Sequence, residues 1–216
     1  MTVASSALGE ARRSVARACH GLAGEGLLIG SAGNVSMRVG DHVAVTATGV
    51  VLGLATADDV TIVDLDGTVL DGDRAPTSEL ELHLGIYRRH GAGAVVHTHS
   101  PQATAVSLVL DELPCVHYQQ LALGGAIRVA PFAVFGSAEL AAETLTALEG
   151  KAAALLANHG AVTHGPTLEA AVDNALLLEW ACGLYVRAAT LGAPRVLDPA
   201  QQEAVVAAAV SRGYGR

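Results

Sequence analysis

AGAVVHTHSPQATAVSLVL, residues 92–110, decides the architecture. An apolar run, Ala94-Val95-Val96, carries two histidines spaced two apart, and Ser100-Pro101 then opens a segment with helical spacing. Proline is well accepted in the first turn of a helix, so the stretch reads as a buried strand feeding directly into a helix. Side chains two apart on a strand share a face, so the imidazoles of His97 and His99 converge on one point. Two polar residues at a strand end are the plain alternative; metal ligation is the chemical one.

KAAALLANHG, residues 151–160, repeats the theme: a buried strand with polar residues at its exit. His159 ends that run, and Gly160 after it allows close backbone approach to a neighbour or ligand. His97, His99 and His159, each at the end of a core strand, form a candidate His₃ site. Imidazole nitrogen at about 2.0–2.1 Å suits zinc, and two ligands from one stiff strand lower the entropy of forming the site. A two-histidine, one-carboxylate iron site is also conceivable.

Working outward, residues 6–24 have helical apolar spacing and end at Gly21 and Gly24. NVSMRV and HVAVTAT, joined at Gly40-Asp41, predict a hairpin, and VTIVDLDGTVL predicts another around Asp66-Gly67. Pro76-Thr77-Ser78 opens a helix running to about His90, with Ser78 and Glu81 at capping-box spacing. RVAPF reads as strand and SAELAAETLTALEG as helix. A long helix follows Pro166, and a shorter one near 199–211 ends the chain. Early hairpins followed by strand–helix alternation imply a mixed sheet layered with helices. No linker or repeat interrupts residues 1–216, which read as one domain.

Composition narrows the function. Net charge is −8, which argues against nucleic acid. No apolar run reaches membrane-span length and the start lacks a signal-peptide core, so a soluble, cytoplasmic protein is expected. Cys19, Cys115 and Cys182 are odd in number and widely separated, which predicts buried reduced thiols rather than a disulfide framework. Lys151 is the only lysine, in the polar turn EGK, so Schiff-base chemistry has a single candidate.

Glu79, in the first turn after Thr77-Ser78, suits the helix dipole without further role. Its chemical alternative is a fourth metal ligand or a general base. Three small polar clusters (Gly33-Asn34 with Ser36, Thr48-Gly49, and Thr77-Ser78) lie at turns or helix starts. With one lysine in the chain, a phosphate would be held mainly by backbone N–H groups and hydroxyls there. His83, four residues after Glu79, is a second-choice ligand. His20, His42, His90 and His164 read as solvated residues near element ends, and Trp180 and Tyr185 as core or subunit packing on the long helix.

Taken in order, GNVS (33–36), TATG (46–49), TSE (77–79), VVHTH (95–99), VHY (116–118) and NHG (158–160) resemble the class II aldolase superfamily, which includes L-fuculose-phosphate aldolase, the ribulose-phosphate 4-epimerases and the adducin head. The resemblance spans most of the chain. It implies an α/β fold, a three-layer α/β/α sandwich around a mostly antiparallel mixed sheet, assembled as a homotetramer with active sites between subunits.

Position by position, the resemblance makes His97, His99 and His159 zinc ligands and Glu79 a fourth ligand that becomes the catalytic base. It places Gly33, Asn34, Thr48, Gly49, Thr77 and Ser78 around a substrate phosphate. Tyr118 resembles a tyrosine donated by a neighbouring subunit as proton donor, and Tyr214 a C-terminal tyrosine over the site. The implied reaction is reversible cleavage of a ketose 1-phosphate, such as L-fuculose 1-phosphate, to dihydroxyacetone phosphate and an aldehyde. His117-Tyr118-Gln119-Gln120 lacks the aspartate of the 4-epimerases, which counts against epimerisation. The three histidines count against a purely structural head, although a non-catalytic assembly module stapled by metal is a rival. Dehydratase and decarboxylase relatives share the metal motif and remain open.

Overall fold

Every residue of Ala94–Thr98 is buried, as a strand carrying a continuous apolar run must be when both its faces are covered. A computed structural model describes residues 3–213. Its elements are α1 (Val3–Gly24), β1 (Asn34–Val39), β2 (His42–Thr46), β3 (Val60–Asp64), β4 (Val69–Asp71), α2 (Leu80–His90), β5 (Ala94–Thr98) and α3 (Pro101–Ser107). There follow β6 (Glu112–Leu113), β7 (Ile127–Ala130), α4 (Ala138–Ala147), β8 (Ala153–Leu156), β9 (Gly160–Gly165), α5 (Leu168–Leu191) and α6 (Pro199–Ser211). The strands form one nine-stranded sheet in the order β4-β3-β2-β1-β5-β9-β8-β7-β6, with only β7 and β8 parallel.

Alternation along the strands sends side chains to two helical layers. On one face Val35, Ala44, Ile62, Ala94 and Val96 pack under α1 and the start of α5, through Val15, Cys19, Leu22 and Ala171. On the other, Val43, Val45, Val63, Val95 and Val162 pack under α2 and α4, through Leu82, Ile86, Tyr87 and Leu140. The expected three-layer arrangement around a mostly antiparallel mixed sheet is what the chain adopts. All three cysteines are buried and free, and no helix among the described residues is long and apolar enough to cross a membrane.

Two local expectations fail. Residues 160–165 form strand β9, where the pattern predicts only the approach to the long helix. The tight turn at Asn158 (φ 57°) sends the chain straight back along β8, and β9 then fills the place between β8 and β5. The capping box also does not form. Helix α2 begins at Leu80 with Glu79 at its N-cap, so Ser78 precedes the cap and Glu81 sits in the first turn, paired instead with Arg88.

Gly160 is where β9 passes β5. A Cβ there would lie 2.2 Å from the Thr98 carbonyl oxygen, a backbone atom that cannot move aside. Gly160→Ala should therefore cost roughly 3 kcal/mol by overpacking. Gly21→Ala, inside α1 with open space at its Cβ, should be neutral or stabilise by up to about 1 kcal/mol. Urea unfolding of the two variants checks the contrast; equal midpoints would contradict it.

Candidate active site

Strand β5 lies between β1 and β9, with His97 opposite Asn34 on one side and Val162 on the other. The two-residue period puts His97 and His99 on the α2 side of the sheet. The β8–β9 turn brings His159 to the same end. One nitrogen from each of His97, His99 and His159 lies within 4.8 Å of the other two. Their rings meet edge to face, with centroids 4.8–4.9 Å apart. His97 is fully buried and its Nδ1 faces the Ala161 carbonyl at 2.9 Å. A carbonyl only accepts, so Nδ1 carries hydrogen and Nε2 is directed at the cluster, the tautomer a metal needs.

Glu79 reaches the cluster from the N-cap of α2. Its Oε2 lies 3.1 Å from His97 Nε2 and its Oε1 3.5 Å from His159 Nε2. Asn34 Nδ2 donates to Oε2 at 2.9 Å, while Oε1 is buried without a hydrogen-bond partner. Burial works against the charge, yet His97, the Asn34 amide and His159 outweigh it and hold the carboxyl well below the usual carboxylate range. His97 Nε2 and His99 Nε2 also face each other at 3.1 Å. Two lone pairs and a carboxylate at such distances call for a positive charge among them, either a proton or a divalent cation. An orphaned buried oxygen beside three imidazoles fits a cation in its donor set.

A cavity opens over this group. Gly33, Asn34, Thr48, Thr77 and Ser78 line it together with Glu79, His99 and His159. Backbone bonds stitch the hydroxyl-bearing segments together: Thr77 N–H donates to Thr46 O and Thr48 N–H to Ala75 O, each at 3.0 Å. Gly33 has φ 100°, and a Cβ there would lie 2.7 Å from His97 O, so only glycine lets this turn pass the ligand strand. No lysine or arginine is among the lining residues, and an anion would meet hydroxyls and backbone instead.

Not every expected residue arrives. Gly49 (φ 73°) adjoins Thr48 but does not line the cavity. Tyr118 opens a 3-10 turn, about half exposed against the His117 ring, and does not line it either. Tyr214 lies outside the described residues. Lys151 donates to the Gly124 carbonyl and is no part of the cavity. His83 is not a ligand: its ring nitrogens are taken by Asn34 and Ser36. Ser36 is fully buried and faces His83 rather than the cavity, because it lies two residues further along β1 than Asn34, beneath α2. His90 and His164 are partly buried and stack on one another rather than standing in solvent. Phe135, in the loop before α4, also lines the cavity; an aromatic beside Gly136 in a chain with two phenylalanines is the only signal of it in the sequence.

The histidines give a pH prediction. Burial, reinforced by neighbouring histidine charge, pushes His99 and His159 down to about 4 and His83 to about 3, from 6.5. Below 6.5 the unfolded chain takes up protons that the folded chain refuses until near pH 4. Stability of the metal-free protein is therefore complete above 6.5 and is lost as pH falls from 6.5 towards 4. Urea midpoints should drop across that window; a flat profile would contradict the lowered values of His83, His99 and His159.

Comparison with known proteins agrees with the geometry. The model of the "Class II Aldolase and Adducin N-terminal domain" matches residues 13–186. A 5-methylthioribulose-1-phosphate/5-deoxyribulose-1-phosphate aldolase from Rhodospirillum rubrum is 37% identical, over 84% of this chain and 82% of its own. The L-fuculose phosphate aldolase of Escherichia coli K12 is 34% identical, over 90% and 91%. A solved L-fuculose 1-phosphate aldolase superposes with TM-score 0.87 at 30% identity, covering 91% of this chain and 94% of that one. All three relatives are named aldolases, which are carbon–carbon lyases, and the chain belongs to the class II aldolase and adducin N-terminal domain family.

Proposed function

We propose that this chain, taken as one domain, is a zinc-dependent cytoplasmic aldolase. It would reversibly cleave a ketose 1-phosphate, such as L-fuculose 1-phosphate, to dihydroxyacetone phosphate and an aldehyde. The observation that carries the reading is the meeting of His97, His99, His159 and the buried Glu79 beneath a cavity walled by Thr48, Thr77 and Ser78. Relatives named for fuculose, methylthioribulose and deoxyribulose phosphates support the substrate class.

His97, His99 and His159 would hold zinc, with Glu79 as a fourth, displaceable ligand. Zinc there supplies Lewis-acid polarisation of the substrate's carbonyl and adjacent hydroxyl oxygens. Thr48, Thr77 and Ser78, with backbone at Gly33 and Asn34, would receive the phosphate. In cleavage the C3–C4 bond breaks and its electron pair passes to the dihydroxyacetone phosphate half. Tyr118 of a neighbouring subunit, as its phenolate, takes the C4 hydroxyl proton, and Glu79, in its acid form, returns a proton to C3. Synthesis reverses both transfers. Tyr118 is exposed and away from the cavity of its own chain, which suits a donor acting across a subunit boundary in a homotetramer.

The rival, a metal-stapled assembly module, needs a closed four-ligand site. Here Glu79, His99 and His159 all line an open cavity, which favours catalysis.

Incubating the zinc-loaded protein with a panel including L-fuculose 1-phosphate and 5-deoxyribulose 1-phosphate should release dihydroxyacetone phosphate from at least one. Glu79→Gln should lower that rate by about 10²–10⁴-fold, as loss of a general base does, and Tyr118→Phe should lower it by a similar order. Release from no ketose 1-phosphate would overturn the proposal. Full activity of Tyr118→Phe would remove the proton donor.

A further inference from the structure

A buried polar chain runs from Glu79 away from the cavity. Asn34 and Ser36 stand two apart on β1, and Glu79, His83 and Tyr87 stand four apart along α2. Four residues of helix rise about 6 Å and two of strand about 6.6 Å, so the two rows interlock. All five side chains are buried. Ser36 Oγ lies 2.6 Å from the Tyr87 hydroxyl and 2.7 Å from His83 Nδ1. His83 Nε2 meets Asn34 Oδ1, and Asn34 Nδ2 meets Glu79 Oε2 at 2.9 Å.

The chemistry at Glu79 leaves this chain a single direction. An ionised carboxylate only accepts, so Asn34 must offer its NH₂ and turn its carbonyl towards His83. That carbonyl only accepts, so His83 carries hydrogen on Nε2. A neutral imidazole then presents a lone pair on Nδ1, to which Ser36 donates, and the Tyr87 hydroxyl donates to Ser36. Were the Asn34 amide to turn over, a carbonyl oxygen would face the carboxylate and drive it out of place.

We infer that His83 is a positioning residue: by fixing the Asn34 amide it anchors Oε2 of Glu79, leaving Oε1 directed at His159 and the cavity. The inference rests on Glu79 being the base. A network kept only for stability would tolerate any packing-compatible replacement once folded. A positioning network needs a donor at the Nε2 place.

The test is steady-state cleavage by zinc-loaded variants of the ketose 1-phosphate turned over fastest. His83→Phe should lower kcat about 10–100-fold, as loss of a partner behind a ligand does. KM should stay within about twofold and bound zinc should remain stoichiometric. His83→Gln, which keeps a donor near the Nε2 place, should recover kcat to within about fivefold of wild type. His83→Asn, whose amide ends near the Nδ1 place, should not, and it stands in should the phenylalanine variant not fold. Long-range ¹H–¹⁵N spectra of histidine-labelled metal-free protein at pH 7 should show His83 as the Nε2–H tautomer.

An Nδ1–H tautomer, or wild-type kcat in His83→Phe or His83→Asn, overturns the inference. If Glu79→Gln is inactive in that case, the base reading survives without it. Full activity in zinc-bound Glu79→Gln overturns both.

Discussion

Glu79 is a buried carboxylate, and a buried negative charge persists only where dipoles or positive charge face it. On one side the Asn34 amide meets Oε2; on the other, His97 faces Oε2 and His159 faces Oε1, with His99 against His97. The carboxylate and the histidines would each be unfavourable alone. Together they make a site whose missing charge is positive. The three layers around β5 bring these four side chains from three separate stretches of chain to one point.

The sheet supplies the rigidity such a site needs. His97 rides on the central strand, paired on both sides, and His99 follows directly after its last residue. Glycines at 33 and 160 let the flanking backbone approach without displacing it. A site built on paired strands holds ligand geometry better than one on free loops. The polar wall opposite is tied down by backbone bonds between residues 46–48 and 75–77. Orientation is settled before any ligand arrives, which is what lets fixed groups lower a reaction barrier.

Much of this was legible from local pattern. An apolar run with histidines two apart gives a buried strand and a shared face, and His159-Gly160 marks a second strand end. The hairpins, the long helix after Pro166 and a mixed sheet layered with helices followed in the same way; the three-layer class came from the family resemblance. The failures needed tertiary information. Ser78 and Glu81 had capping spacing, but α2 starts later, and Glu79 at its N-cap is turned to the histidines. Strand β9 was hidden because Gly160–Gly165 starts directly at the His159-Gly160 turn and leads straight into a helix preceded by Pro166. His83 shared a helix face with Glu79, as expected, but only docking of α2 on β1 shows that Asn34 and Ser36 take its nitrogens. Tyr118 is exposed within its own chain, so no reading of one chain can give it a partner.

The most direct test of the metal centre is anomalous diffraction from crystals grown with zinc, measured above and below the zinc absorption edge. The expected result is a zinc-specific peak about 2.0–2.1 Å from one nitrogen each of His97, His99 and His159. No peak among these residues, or a peak elsewhere with this site holding none, would contradict it.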